Sequence, residues 1–71
     1  MYIQIIAGAN QHDNVQVDSD ITLSDVRDEF GRSFSIPTDS TAIVNGTEKL
    51  DDYTLSEGDS VEFRKATGRK G

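Results

Sequence analysis

His12 is the only histidine of the sequence, and the sequence contains no cysteine. Histidine is the side chain best suited to proton transfer near neutral pH. Zinc sites take three or four ligands, but His12 lies in a polar stretch with no second histidine or cysteine nearby. The sequence therefore predicts no metal site, no thiol chemistry and no cofactor.

Serine and threonine are plentiful, but none lies in a recognisable catalytic motif. A nucleophilic hydroxyl needs a base that takes its proton and a third group that orients that base. The sequence has one histidine and no Gly-x-Ser-x-Gly turn, and it lacks phosphate-loop and dinucleotide fingerprints. We expect a protein that is not an enzyme by itself.

Four acidic residues near the C-terminal end invite comparison with a calcium loop: Asp51, Asp52, Glu57 and Asp59. A calcium loop of the common type alternates its acidic ligands, turns at a glycine and ends in a glutamate. This segment lacks that alternation, so we interpret the four residues as solvated acids of turns.

Charge divides the chain into an acidic body and a basic tail. The first 63 residues hold all 13 acidic residues and three of the seven basic ones, a formal charge of −10, and the last eight add Arg64, Lys65, Arg69 and Lys70. An acidic body repels phosphate, and four positive charges alone give weak, salt-sensitive binding to nucleic acid. The charge distribution therefore argues against nucleic acid as a partner and favours a basic protein.

A chain of 71 residues with 34% hydrophobic residues allows one small domain. Its apolar runs, such as Ile5-Ile6-Ala7, do not exceed three residues and are far shorter than the roughly 20 residues that span a bilayer. We expect no membrane segment and a soluble, cytoplasmic protein.

Alternating apolar residues predict a first strand over 2–7 with Ile3, Ile5 and Ala7 on one face, then a loop over 8–14 and a short strand over 15–17. From Thr22 the period becomes helical. Thr22 and Asp25 approximate a capping box, so we predict a helix over about 23–33, with Gly31 marking fraying or a C-cap.

After Pro37 the sequence predicts strands over 41–44, about 47–50 and 60–64, with a tight turn at Asn45-Gly46. We predict that the helix buries Leu23, Val26 and Phe30 against a second set of apolar side chains, Ile3, Ile5, Val17, Ile43, Leu55, Val61 and Phe63.

This element order predicts an α+β domain over residues 1–65, with one helix on one face of a mixed sheet of four or five strands, followed by a flexible basic tail over 66–71. Placing the last strand centrally beside the first gives a β-grasp. The pattern alone leaves other α+β arrangements open.

Two motifs carry a resemblance to known proteins: Val44-Asn45-Gly46 and, about a dozen residues later, Leu55-Ser56-Glu57-Gly58-Asp59-Ser60-Val61. With the glycine-ended tail, they resemble the ubiquitin-like β-grasp superfamily. Within that superfamily the motifs resemble those of the sulfur carriers of thiamine and molybdopterin synthesis (ThiS and MoaD) and of bacterial ubiquitin-like proteins. Each motif alone is also ordinary turn chemistry.

The resemblance implies that a partner adenylating enzyme activates the carboxylate of Gly71, which then accepts sulfur or is joined to an acceptor protein. Gly68, Arg69 and Lys70 would form the tail that enters the partner. The families prefer a second glycine where this chain has Lys70, so either a wider channel in the activating enzyme or a tail-processing protease acting on a longer chain would be needed.

The resemblance also implies partner recognition on the sheet face away from the helix, where Tyr2, Gln4, Ile6, Glu62 and Arg64 are the candidates. Two functions follow: a protein modifier or sulfur carrier, and a non-conjugated ubiquitin-like module that binds proteins through its acidic surface and sheet face. A third is a small domain that assists a larger RNA-binding protein.

Overall fold

The computed structural model describes residues 1–65. The chain begins with two antiparallel strands, β1 (Tyr2–Ala7) and β2 (Asn10–Gln16). The predicted loop over 8–14 was wrong, because β2 already begins at Asn10. The first residues of β2 are polar and do not alternate with apolar ones, so they form a strand only through backbone hydrogen bonds to β1. The register shifts opposite Ile3–Ile5, near Asn14, whose φ is 54°.

The single helix, α1 (Leu23–Phe30), begins at the predicted capping box. The Thr22 side chain accepts a hydrogen bond from the Asp25 backbone N–H (3.2 Å), and the Asp25 carboxylate accepts one from the Thr22 N–H (3.1 Å). The helix ends three residues before the predicted position 33, with Gly31 as its C-cap. Beyond it, residues 31–35 form turns, and the Ile36 N–H donates to the carbonyl oxygen of Gly31 at 2.9 Å.

Three strands follow the helix: β3 (Ser40–Val44), β4 (Thr47–Lys49) and β5 (Ser60–Lys65). Each lies within one residue of its predicted bounds. The five strands form one mixed sheet in the order β2-β1-β5-β3-β4. The central pair, β1 and β5, is parallel, and the other three pairs are antiparallel.

The hydrophobic core lies between α1 and one face of the sheet. Strand alternation supplies the inward side chains of β1, β3 and β5, and Leu23 and Val26 of α1 meet them. The buried apolar residues are Ile3, Ile5, Ala7, Val17, Ile21, Leu23, Val26, Ile36, Ala42, Val44, Leu55, Val61 and Phe63. Most of the predicted core is confirmed.

Two predicted core residues were misplaced. Ile43 is only half-buried, because Ala42 and Val44 take the inward positions of β3 and the period of two turns Ile43 to the opposite face. Phe30 is also only half-buried, because it occupies the last turn of α1, where its ring stacks on Phe34 with centroids 5.1 Å apart.

Arg27 anchors the helix to β3 and to the loop after β4. Its guanidinium Nη1 donates to Ser40 Oγ (2.9 Å), Nη2 to the Ser40 carbonyl oxygen (2.7 Å) and Nε to Asp51 Oδ1 (3.0 Å).

Within residues 1–65, no helix has both the length and the apolar character needed to cross a membrane.

Candidate functional site

The face of the sheet opposite α1 carries no helix from the described part of the chain, and we call it the open face. Its side chains alternate with the buried ones on β1, β5 and β3. All five residues predicted to bind a partner lie on strand positions of this face: Tyr2, Gln4, Ile6, Glu62 and Arg64. The structure adds Ile43, which sequence analysis assigned to the core.

A row of three side chains crosses the centre of the open face. Ile6 of β1 is in register with Glu62 of β5, and Glu62 is in register with Ile43 of β3. All three side chains are half-buried. The row therefore presents two apolar groups separated by one carboxylate. Ile43 could have been placed here from sequence only if the inward positions of β3 had been known.

Glu62 is paired on its own strand with Arg64. Arg64 Nε lies 3.1 Å from Glu62 Oε2, and Nη2 donates to Oε1 at 3.2 Å. The hydrogen bond to Glu62 and its negative charge raise the pKa of the Arg64 guanidinium. The pair is exposed to solvent, so it holds the two side chains in a defined arrangement while adding little to folding stability.

Hydrogen bonds connect the polar part of the open face across three strands. The Ser60 hydroxyl donates to Gln4 Oε1 (2.6 Å), and the Gln4 amide donates to Asp13 Oδ1 (2.7 Å). Gln11 also donates to Asp13 Oδ1, at 3.1 Å. The hydrogen bonds from Gln4 and Gln11 lower the pKa of the Asp13 carboxyl below its ordinary value of 3.8, and the bond from Gln4 has the larger effect. Gln4 is therefore held in place by its neighbours.

Tyr2 lies at one end of the open face, and 49% of its surface is exposed. Gln4 separates it from Ile6 along β1. A shallow depression of about 280 Å³ extends over the central row, lined by Ile6, Ile43, Gly46, Glu48, Ser60, Glu62 and Arg64. The depression is only partly enclosed, so this surface can receive a side chain of another molecule better than it can enclose a small substrate.

The two motifs behind the family resemblance contact each other. The Asn45 side-chain amide donates to Asp59 Oδ1 at 2.9 Å, and Asn45 Oδ1 accepts from the Ser60 backbone N–H at 3.0 Å. Asp59 is buried, and its second oxygen accepts from the Ser56 N–H at 2.8 Å. We call this hydrogen-bonded set the Asn45–Asp59 bridge. It fixes the β3–β4 turn to the start of β5.

The remaining chemistry-bearing residues lie apart from the open face. His12 is in register with the buried Ile5, and its ring stacks on Phe34 with centroids 3.9 Å apart. Asp51, Asp52 and Glu57 are exposed in loops. Among residues 1–65, no group of three or more histidine, aspartate or glutamate side chains is placed to hold a metal ion.

The predicted activation site and its tail lie outside the described residues: Gly68, Arg69, Lys70 and Gly71.

Neither a protein-family model nor a curated protein matches the sequence. The geometry of the open face and the two motifs therefore carry the functional interpretation.

Proposed function

We propose that this chain is a ubiquitin-like β-grasp domain that acts by binding another protein through its open face. The β-grasp assignment is supported by the strand order β2-β1-β5-β3-β4, by the parallel central pair and by one helix between β2 and β3 packed on one face. The contact between the two resembled motifs, through Asn45 and Asp59, adds to that support.

The row Ile6–Glu62–Ile43 is the observation that carries the binding proposal. Two branched aliphatic side chains at the centre of an otherwise polar sheet face add little to the core, which lies on the opposite side. Half-exposed apolar groups surrounded by polar ones fit the anatomy of protein interfaces, in which an apolar centre is enclosed by a polar rim. The Glu62–Arg64 ion pair lies beside these two apolar groups, so the partner must offer polar groups that complement that pair.

The partner is expected to be basic. Residues 1–65 carry 13 acidic side chains against five basic ones, so this part of the chain has a formal charge of −8. A charge of this size speeds encounter with a positive surface and repels nucleic acid. Binding should therefore weaken as salt rises, because ions screen the attraction over about 10 Å at 0.1 M ionic strength.

Variants of the row test the proposal. The wild-type chain and the double variant Ile6→Ser/Ile43→Ser are used to enrich partners from native cells, with quantitative mass spectrometry as the readout. The matched control is Leu50→Ser, because Leu50 is 75% exposed but lies beyond β4 in a depression formed with Arg27 and Ser40.

The double variant should lose partners that the wild type and the control retain, with affinity falling about tenfold or more, since central apolar contacts at an interface are worth over about 1 kcal/mol each. Recovery of the same partners with the double variant, at the same affinity, would refute binding through this row. Circular dichroism checks that all three chains are folded.

A second candidate is the modifier or sulfur carrier, in which an adenylating enzyme activates the Gly71 carboxylate. It is favoured by the position of β5: this central strand ends at Lys65, and the chain then continues into a segment that contains Gly68 and Gly71. A firmly paired strand is a suitable anchor for a segment that enters a partner.

Mass spectrometry of the protein recovered from native cells tests this candidate. Exchange of one carboxylate oxygen for sulfur at Gly71, or an isopeptide bond from Gly71 to a lysine of an acceptor protein, would support it. Deletion of Gly71 should then abolish every adduct. Unchanged adducts and phenotype after that deletion would leave the binding module as the function.

A further inference from the structure

The β3–β4 turn contains Asn45-Gly46, the only asparagine of the sequence that is followed by glycine. Both residues have positive φ, 51° for Asn45 and 87° for Gly46, and both are exposed to water. Glycine has no side chain to shield its backbone nitrogen, so an Asn-Gly pair permits that nitrogen to approach the preceding amide. Asparagine is itself among the thermolabile residues of proteins.

We propose that Asn45 is a deamidation site gated by the Asn45–Asp59 bridge. The closed bridge suppresses the reaction, and transient opening of the turn permits it. Once Asn45 has been converted, the bridge no longer closes. Deamidation of Asn45 thus irreversibly changes the charge and the turn structure at one end of the open face. This inference does not depend on the proposed function.

The reaction needs only water. The backbone nitrogen of Gly46 attacks Cγ of Asn45, a carbon–nitrogen bond forms to close a five-membered imide, and the bond from Cγ to Nδ2 breaks. The proton lost from the Gly46 nitrogen passes through solvent to the departing amine, which leaves as ammonia. Water then opens the imide at either carbonyl and gives aspartate or isoaspartate.

The bridge opposes the first step by holding both ends of the side-chain amide. Nδ2 donates to Asp59 Oδ1 at 2.9 Å, and Oδ1 accepts from the Ser60 N–H at 3.0 Å. Turning Cγ toward the Gly46 nitrogen breaks both bonds. Asp59 cannot follow, because it is buried and its other oxygen is held by the Ser56 N–H. The reaction must therefore wait for local opening of the turn.

Conversion removes the group that closes the bridge. An aspartate side chain at position 45 has no N–H to donate, and its carboxylate would face the carboxylate of Asp59 at a distance where like charges repel. An isoaspartate would in addition lengthen the backbone of the turn between Val44 and Thr47, which are paired. Gly46 and Ser60 border the depression of the open face, so that face gains a negative charge at its margin.

The rate of conversion at Asn45 tests the gate. Wild-type protein, the variant Asp59→Ala and a synthetic peptide of residues 33–49 are incubated in the same mildly alkaline buffer. Trypsin, cutting after Arg32 and Lys49, releases the same segment from the proteins, and mass spectrometry separates the amide, aspartate and isoaspartate forms. Asn10 and Asn14, followed by Gln11 and Val15, are internal controls.

The wild-type protein should convert Asn45 at least about tenfold more slowly than the peptide, and Asp59→Ala should recover most of that factor, since each lost hydrogen bond changes the opening equilibrium several-fold. A wild-type rate equal to that of the peptide, or a folded Asp59→Ala variant with the wild-type rate, would overturn the gate.

If Asp59→Ala does not fold, the conversion rate of the wild-type protein is measured in increasing concentrations of urea instead. Conversion at Asn45 should then rise at urea concentrations below the midpoint of global unfolding, and a rise only at that midpoint would overturn local gating.

The variant Asn45→Asp tests the second half of the proposal. Its amide hydrogens at Ser56 and Ser60 should exchange faster than in the wild type, and unchanged exchange would contradict loss of the bridge.

Discussion

The guanidinium carbon of Arg27 lies 5.0 Å from the ring centroid of Phe63, the largest fully buried side chain of the core. Arg27 thus covers the edge of the core with its side chain while its three nitrogens donate to Ser40 and Asp51. Only 18% of the side chain is exposed, so the attraction between cation and ring acts with little competition from water. One residue joins α1, β3 and β5.

Replacing Arg27 should destabilise the protein more than its charge alone suggests. Arg27→Lys keeps the positive charge but loses the planar fork that reaches both atoms of Ser40, so we expect a loss on the order of 2 kcal/mol. The matched control is Asp51→Asn, which should cost less than about 1 kcal/mol because Asp51 is 57% exposed. Urea unfolding measures both, and equal losses would contradict this ranking.

The two phenylalanines Phe63 and Phe30 should respond differently to truncation. Phe63 is 1% exposed, so Phe63→Ala should cost about 3–5 kcal/mol and unfold most of a domain this small. Phe30 is half-buried at the end of α1, and Phe30→Ala should cost about half as much. Thermal unfolding followed by circular dichroism distinguishes them. A larger loss for Phe30 would show that its stack on Phe34 matters more than burial.

Features governed by local sequence could be predicted. The capping box at Thr22 starts the helix because two side chains satisfy each other's backbone N–H groups within four residues. Strands β1 and β5 follow from apolar residues at alternate positions, Ile3, Ile5 and Ala7 in β1 and Val61 and Phe63 in β5. The same alternation is sufficient to place Tyr2, Ile6 and Glu62 on the outer face of the sheet.

Features set by distant parts of the chain could not be predicted. The first half of β2 is polar, and only its pairing with β1 makes it a strand. Thr41-Ala42-Ile43-Val44 carries apolar side chains on both faces of the strand. Packing against the rest of the core therefore decides that Ala42 and Val44 point inward and Ile43 outward. The bridge from Asn45 to Asp59 joins residues 14 apart, and no periodicity within either motif indicates it.

Gly31→Ala should destabilise the protein although Gly31 has helical dihedral angles, φ −55° and ψ −42°. In an ordinary helix this change stabilises by up to about 1 kcal/mol. Here a Cβ atom built at Gly31 would collide with the carbonyl oxygen of Arg27, so the last turn must shift. The control Ser24→Ala lies at an exposed position of the same helix and should be nearly neutral. A stabilising Gly31→Ala, measured by urea unfolding, would mean that the turn relaxes freely.

Asp13 should make folding stability depend on pH in the acidic range. Its pKa is lowered in the folded protein by hydrogen bonds from Gln4 and Gln11, and a lowered folded pKa means that the unfolded chain binds the proton more tightly. The stabilising contribution is therefore complete above the ordinary value of 3.8 and is lost as pH falls below it through the folded pKa. Acidification should loosen β2 from β1 at this point.

Titration of the Asp13 side-chain carboxyl by NMR measures the shift directly, and variants assign its cause. Gln4→Leu should bring the pKa of Asp13 back toward 3.8 more than Gln11→Leu does, because the Gln4 hydrogen bond is shorter, 2.7 Å against 3.1 Å, and is the largest cause of the shift. In Asp13→Asn, the acid-dependent loss of stability from this site should disappear. If both glutamine variants leave the pKa unchanged, solvent rather than the network on the open face holds Asp13, and Gln4 is free to turn toward a partner.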